Sequence, residues 1–556
     1  MASTSVGLAH GLLLCAFTLF LHHCLRRRFM KAQLKNLPGT APQSFWTGNM
    51  VPFYQREGWD FQMEVAQNYG PVVNIHGFLW PTLYVYDPKA LHSIIIKDQS
   101  NYEESSLFLQ SNLLTFGPAL ISTLGNPHRK QRRLLGVSFS THHLREMLPI
   151  FYEVASRLCS GIASRVDDGP KDIDMLGWMV RTSLETIGWM VRTSLETIGQ
   201  GGFGYSFDSL TEDQAGEFGN ALRHFVPTMF SLGIIRFAIP FVVTRGSASF
   251  RRWVLDMIPS KRVQNVKQAV DVIHKKSVEV LRSKTSALQS GDDALLQRVG
   301  EGKDLMSILL RANMIATAEH DRLSEDELLA QVSSLSFAAT DTTSNTLARI
   351  LHLLAQHPDV QQRLREEILE SRNGGVVLSY DELMKLPYLD AVCRETLRVH
   401  PPATFWLASA LKDTILPLSQ PIRGTDGKMM GKLLVPKNTK IYIGVAGCNM
   451  NKALWGEDAL EWKPERWLSP LPSAVSDAHM PGVYSNIMSF LGGGRGCIGF
   501  KFSVLEMKVI LSTLLSHFRF ALNGQPIVWN MSAVRYPAVS IESPKAEMPL
   551  KVMKYT

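Results

Sequence analysis

The sequence predicts a mainly helical fold with small β-sheets, preceded by one apolar segment that spans a bilayer. Three observations predict it. Leu335, Ala338, Ala339 and Thr342 fall at i, i+3, i+4 and i+7 within Glu325 to His357, so that stretch reads as one long helix with a small-residue face. A second apolar run with helical spacing, Phe502 to Leu515, follows directly on a glycine-rich loop. The β-signals are short: Val72-Val73-Asn74-Ile75 and Thr82-Leu83-Tyr84-Val85-Tyr86 read as a hairpin pair.

The chain has 556 residues, 45% of them hydrophobic, which is enough for a large core. Its net charge of +8 suits nucleic acid, anionic lipid or an acidic protein. Nucleic acid is set aside because no Lys/Arg-rich tract with interleaved aromatics occurs. The six cysteines are scattered without a C-x-x-C pair, so a zinc ribbon or a disulfide framework is not expected. Reduced, cytoplasm-facing thiols are the simpler reading.

In chain order, residues 1–6 form a short lumenal N-terminus and 7–25 an apolar segment without acids, lysine or arginine. Nineteen such residues just span a bilayer. Arg26-Arg27-Arg28 follows, which places the downstream chain on the cytoplasmic side. A cleaved signal peptide would carry its positive charge before the apolar run, and this one does not. Residues 26–44 hold the basic stop and the hinge Leu37-Pro38-Gly39-Thr40-Ala41-Pro42, where proline ends the helix. Residues 45–556 are expected to form one catalytic domain. Within it, Leu107 to Leu124 is apolar and broken by glycine, without helical regularity. Ala215 to Met257 reads as helical and Ser283 to Gly302 as a polar loop. Asp390 to Val399 reads as a helix ended by His400-Pro401-Pro402, and Thr404 to Lys412 as a strand.

The chemistry centres on Ser489 to Phe500, where Cys497 sits among glycines with Arg495 two residues before it. Glycines let the backbone approach a flat partner and aim amide N–H groups at a sulfur. The helix that follows adds a positive N-terminus, which favours a thiolate. Three readings compete. Gly494, Gly496 and Gly499 fit the dinucleotide pattern G-x-G-x-x-G, but no acid occurs between Glu506 and Glu542 to hold a ribose. A plain turn around an inert cysteine is the second. An axial cysteine ligand to haem iron is the third.

This last reading resembles the cytochrome P-450 family, whose haem loop is F-x-x-G-x-R-x-C-x-G. Phe490, Gly493, Arg495, Cys497 and Gly499 match every fixed position. Ala338-Ala339-Thr340-Asp341-Thr342-Thr343 is similar to the family's A-G-x-D-T-T, with Ala339 replacing glycine. Glu395 and Arg398 match E-x-x-R, and Arg466 lies in Pro464-Glu465-Arg466-Trp467. His128 and Arg132 stand where W-x-x-x-R occurs, and Ala408 stands where an arginine often holds a propionate.

The resemblance, closest to microsomal fungal members, implies a triangular helical fold around one haem b. It implies Cys497 as the iron ligand. It implies propionate contacts from His128, Arg132 and Arg495, and a dioxygen groove at Ala338 and Ala339. Asp341 and Thr342 would deliver protons, and Glu395, Arg398 and Arg466 would form a buried charge network behind the loop. Residues 107–124 would cover the substrate pocket and 215–257 would form its lid, while Arg129, Lys130 and Arg133 would face an acidic partner. The implied activity is an NADPH- and O2-dependent monooxygenase served by a flavoprotein reductase. It would act on a lipophilic terpenoid, steroid or polycyclic aromatic, in secondary metabolism or detoxification. Its place would be the endoplasmic reticulum membrane, with a single span, the catalytic domain cytoplasmic and the Asn530 sequon unused. A haem-thiolate isomerase, dehydratase or peroxygenase without a reductase, and a non-catalytic membrane haem protein, are the rival readings.

Residues 177–187 and 188–198 are identical. An α-helix turns about 100° per residue, so eleven residues return to within about 20° of the start. An in-line copy therefore keeps the apolar stripe and lengthens the helix by about 16 Å. Gly188 at the join invites a break. One copy is expected in the core, and the other as an extension of the helix or a bulge in the preceding loop.

Overall fold

The computed structural model describes residues 34–77, 81–192, 245–289, 305–316, 321–372, 377–543 and 545–555, with scattered positions between 218 and 243. The expected span 7–25 and the basic run after it lie outside these residues. Among the described residues no helix is long and apolar enough to cross a membrane.

The fold is mainly helical with small sheets, as expected from the sequence. The main helices are α1 (Gly58–Asn68), α2 (Ser106–Phe116), α3 (Gly125–Ser138), α4 (Thr141–Ala163), α5 (Met175–Arg192), α6 (Lys261–Gln289), α7 (Glu325–Gln356), α8 (Pro387–Val399) and α9 (Phe500–His517). The strands are β1 (Val72–His76), β2 (Pro81–Val85), β3 (Tyr102–Glu104), β4 (Lys171–Asp174), β5 (Trp406–Ala410), β6 (Thr414–Arg423), β7 (Met429–Val435), β8 (Lys440–Ile443), β9 (Phe518–Leu522), β10 (Val528–Asn530), β11 (Tyr536–Ala538) and β12 (Pro549–Lys554). The largest sheet has five strands in the order β1-β2-β8-β5-β3, and β1 and β2 are the hairpin read from the sequence. The proline-glycine hinge is pinned to this sheet. The Asn74 amide donates to the Pro38 carbonyl at 2.9 Å, and a Cβ on Gly39 would meet the Asn74 carbonyl oxygen at 2.0 Å.

The long helix α7 is the axis of the fold. Ser324 and Glu327 form a reciprocal capping box at its start, and Glu325, Asp326 and Glu327 complement the positive helix end. It packs on α5, α6, α8 and α9, and Leu335 touches both large hydrophobic clusters of the core.

Three expectations need correction. Residues 107–116 are helical, because Ser105 caps α2 and the stretch ends only at Gly117 with φ of 83°. The segment 283–302 is not a loop throughout, since α6 continues to Gln289. The segment 215–257 is helical at most of its described positions, as expected, with an interruption before Ala248–Met257, which the Ser247 cap restarts. Gly188 does not break α5, which runs through the join to Arg192 with Trp178, Met179 and Val180 of the first copy buried. The remainder of the second copy lies outside the described residues.

Candidate active site

The Cys497 loop is shaped by close backbone approaches. The Cys497 amide donates to the Phe490 carbonyl at 2.8 Å, closing the loop across its glycines. Gly493 has φ of 61°, and a Cβ there would sit 2.2 Å from the Ile95 carbonyl oxygen, so no other residue fits. Phe490 anchors the loop by packing on Tyr484 and Phe500 at centroid distances of 5.6 and 6.1 Å. Gly499 is the N-cap of α9, and its amide acts on the Cys497 sulfur so as to favour the thiolate.

The Cys497 side chain is open, yet its sulfur lies deep within the protein. Burial pushes the thiol up, while the Gly499 amide and the Arg132 guanidinium pull it down. The other described cysteines, Cys159, Cys393 and Cys448, are buried, and burial pushes Cys159 and Cys393 up to about 12. Only Cys497 among the described residues therefore offers an accessible sulfur with groups that favour its thiolate.

The sulfur faces α7. Leu335, Ala338, Ala339 and Thr342 share one cavity with Cys497 and Phe502. The Thr342 hydroxyl donates to the Ala338 carbonyl at 2.8 Å. Ser336, Thr340, Ser344 and Thr346 bond back to their i−4 carbonyls in the same way, a pattern that bends helices. Asp341 is not on the cavity wall. Its carboxylate accepts from the Asn345 amide at 3.2 Å, which holds it beside the wall on its own helix. Thr343 ties the helix to α9, with its hydroxyl donating to Ser503 at 3.2 Å.

The basic edge of the site comes from α3. His128 is buried and neutral: burial, then Arg495, Arg132 and Arg129, lower it to about 4. Arg132 is half-buried near Cys497 and makes no hydrogen bond or ion pair among the described residues. Arg495 is occupied otherwise. It pairs with Glu104 at 2.8 Å and donates to the Thr123 carbonyl at 2.8 Å. Glu104 was not singled out from the sequence, because only the β3–β5 register brings it beside Ala408. Ala408, His128 and Arg495 line one cavity. The expected outward basic surface is reduced: Lys130 pairs with Glu327 at 2.7 Å and Arg133 pairs with Asp321. Arg129 bonds Asn126.

Behind the loop lies the charge network. Arg398 and Glu395 are fully buried and bonded at 2.8 and 2.7 Å. Trp467 Nε1 and the Lys463 amide also donate to Glu395, at 2.9 and 3.0 Å. Arg466 touches Glu395 at 3.4 Å but bonds Asp458 more closely, at 2.9 Å. Arg466 and Lys463 hold the Asp458 carboxyl down at about 2. Arg398 also donates to the Asn449 carbonyl at 3.1 Å. The Asn449 side chain accepts from the Met488 amide at 2.7 Å and donates to Ser489 at 2.9 Å. Sequence reading missed Asp458 and Asn449, which no local motif marks.

Residues 38–545 match the family model described as Cytochrome P450. The chain belongs to the cytochrome P450 family. This P450 is 52% identical over 553 residues to cytochrome P450 monooxygenase 81 of Postia placenta, covering 99% of this chain and 98% of that protein. It is 50% identical to cytochrome P450 monooxygenase 219 of the same fungus, over the full length of both. It is 44% identical to a ganoderic acid synthetase of Ganoderma lucidum, covering 95% of each. The family implies a haem-thiolate cofactor, and the residues of this P450 fit one. An open sulfur has the Gly499 amide acting on it, small side chains face it, and the half-buried Arg132 guanidinium beside it pairs with no acid among the described residues.

Proposed function

We propose that this P450 is an NADPH-dependent monooxygenase of a lipophilic small molecule, with Cys497 as the iron ligand. The observation that carries this reading is the single cavity shared by Cys497, Ala338, Ala339 and Thr342. The haem, when bound, supplies the oxidising chemistry. The chain supplies the rest. Cys497 gives sulfur donation, tempered by the Gly499 amide. Arg132 and neutral His128 would hold a propionate, while Glu104 keeps Arg495 partly engaged. Thr342, on the wall, would hold the proton to be delivered, and Asp341, positioned by Asn345, would replenish it from beside the wall. The cavity lining is mostly apolar, with Met306, Val332, Leu335 and Phe502. Phe116, Phe225 and Phe337 pack together at centroid distances of 5.1 to 5.7 Å next to Ala338.

Electrons would come from a flavoprotein reductase at the endoplasmic reticulum, to which residues 7–25 would anchor the chain. The group bound is haem b in this reading. The substrate is a terpenoid, steroid or polycyclic aromatic, and the name of the Ganoderma relative puts precursors of ganoderic acid on the test panel.

The test is co-expression with a reductase and feeding of a lipophilic metabolite panel. The expected result is an oxygenated product formed only with NADPH and reductase present. Product without either supports the isomerase, dehydratase or peroxygenase reading instead. For the ligand, Cys497→Ala should abolish the red-shifted band of the reduced carbon monoxide complex. Survival of that band removes Cys497 from the role.

A further inference from the structure

We propose that the chain binds a small monovalent inorganic anion, of the chloride class, between Arg349 and Arg535. The place is remote from the Cys497 loop. It lies where the second half of α7 meets the end of α8, the β10–β11 turn and α1. Arg349 and Arg535 are 8% and 6% exposed, so both permanent charges are buried. Neither guanidinium forms a hydrogen bond or an ion pair with a described residue. Each instead lies over an indole. Arg349 is 3.9 Å from the Trp529 ring centroid and Arg535 is 3.7 Å from that of Trp59.

Stacking covers the flat face of a guanidinium and leaves its N–H groups, which lie in the plane, without acceptors. The Arg349 Nε and the Arg535 Nε and Nη1 are fully buried and unpartnered, and so is the His400 Nδ1. His352 cannot supply the missing negative charge. Its Nδ1 accepts from Trp529 Nε1 at 3.0 Å, and burial and Arg349 lower it to about 4, so it is neutral. Burial, then Arg349, Arg535, His352 and Arg398, lower His400 well below the usual imidazole range, so it is neutral too. The acid that acts on Arg535 is Asp60, which is exposed and forms no ion pair with it.

Two arginines that keep their protons inside proteins are therefore buried close enough to repel one another, and neither is bonded to an anionic side chain among the described residues. A water molecule is a poor occupant, because it must also donate its own hydrogens. A spherical anion only accepts. It can take N–H groups arriving from separate elements, and it offsets part of the buried charge.

The experiment uses the purified full-length holoenzyme with sodium bromide against sodium gluconate at equal ionic strength. Bromide should raise the melting temperature by a few degrees with saturation, since a ligand of the folded state alone stabilises it. Arg349→Met should lose that response. Should the variant fail to fold, crystals of the unaltered protein soaked in bromide give the second readout, an anomalous peak between Arg349 and Arg535. The absence of that peak overturns the proposal, and so does identical melting of the unaltered protein in bromide and gluconate.

Discussion

Arg398 grips Glu395 with two hydrogen bonds and reaches the Asn449 carbonyl with another nitrogen, at 3.1 Å. Asn449 in turn holds the Met488 amide and the Ser489 hydroxyl, immediately before the loop that carries Cys497. The charge network is thus joined to the loop through Asn449, beside a direct bond from the Ser489 hydroxyl to the Leu397 carbonyl of α8 at 2.6 Å. Removing one partner of a buried ion pair leaves the other uncompensated and costs about 3–5 kcal/mol. Glu395→Gln should therefore yield little folded haem protein, measured as the reduced carbon monoxide band per unit of total protein. Asn449→Ala should keep the network but loosen the loop, costing about 1–3 kcal/mol in urea unfolding. A variant at Asn449 as damaging as Glu395→Gln would show that the link is not subordinate to the network.

Thr342→Ala removes the hydroxyl that lies on the cavity wall while leaving Ala338 and Ala339 in place. Haem and substrate binding should persist. Product per NADPH should fall, by up to about 10²-fold, the lower range of general acid–base contributions, with peroxide rising in its stead. Asp341→Asn should slow turnover with less peroxide, because its carboxylate sits beside the wall. Unchanged coupling in Thr342→Ala would falsify the proton role.

Glu506 on α9 is buried with neither carboxyl oxygen hydrogen-bonded, and burial raises it to about 8 against a weak pull from Ser183. A raised folded value means that its contribution to stability is whole below 4.5 and is lost as the pH climbs towards about 8. The slope in that window reaches at most about 1.4 kcal/mol per pH unit. Glu506→Gln should flatten it. Chemical unfolding of both proteins from acid to mildly basic pH checks this, and parallel curves would mean that Glu506 is ionised and paired in the fold.

The copies 177–187 and 188–198 are identical, so deleting either leaves the same chain. The first copy starts in the core, and the helix continues unbroken through Gly188. The shortened protein should keep its haem spectrum and melt at the same or a higher temperature. Loss of haem on deletion would mean that the repeat is a working part of the enzyme.

How much of this was legible in the sequence depends on how local each feature is. Cys497 with its glycines, Glu395 with Arg398 three residues on, and Ala338 with Thr342 are readable because one turn or one helix face relates the members. The hairpin of β1 and β2 and the extents of α7, α8 and α9 follow from hydrophobic period in the same way. The α2 helix was hidden because its apolar and polar residues are spread around it without a periodic face, and only its Ser105 cap and Gly117 stop mark it. Tertiary structure alone decided which charges meet. It gave Arg495 to Glu104, Arg466 to Asp458 and Lys130 to Glu327, leaving Arg132 without a partner among the described residues. It also buried Arg349 and Arg535 near one another with no acidic side chain bonded to either among the described residues. The physical reason is that a charge takes whichever partner the packed elements bring within a few ångströms. That proximity is set by the register of strands and the crossing of helices far apart in the chain, not by spacing along it.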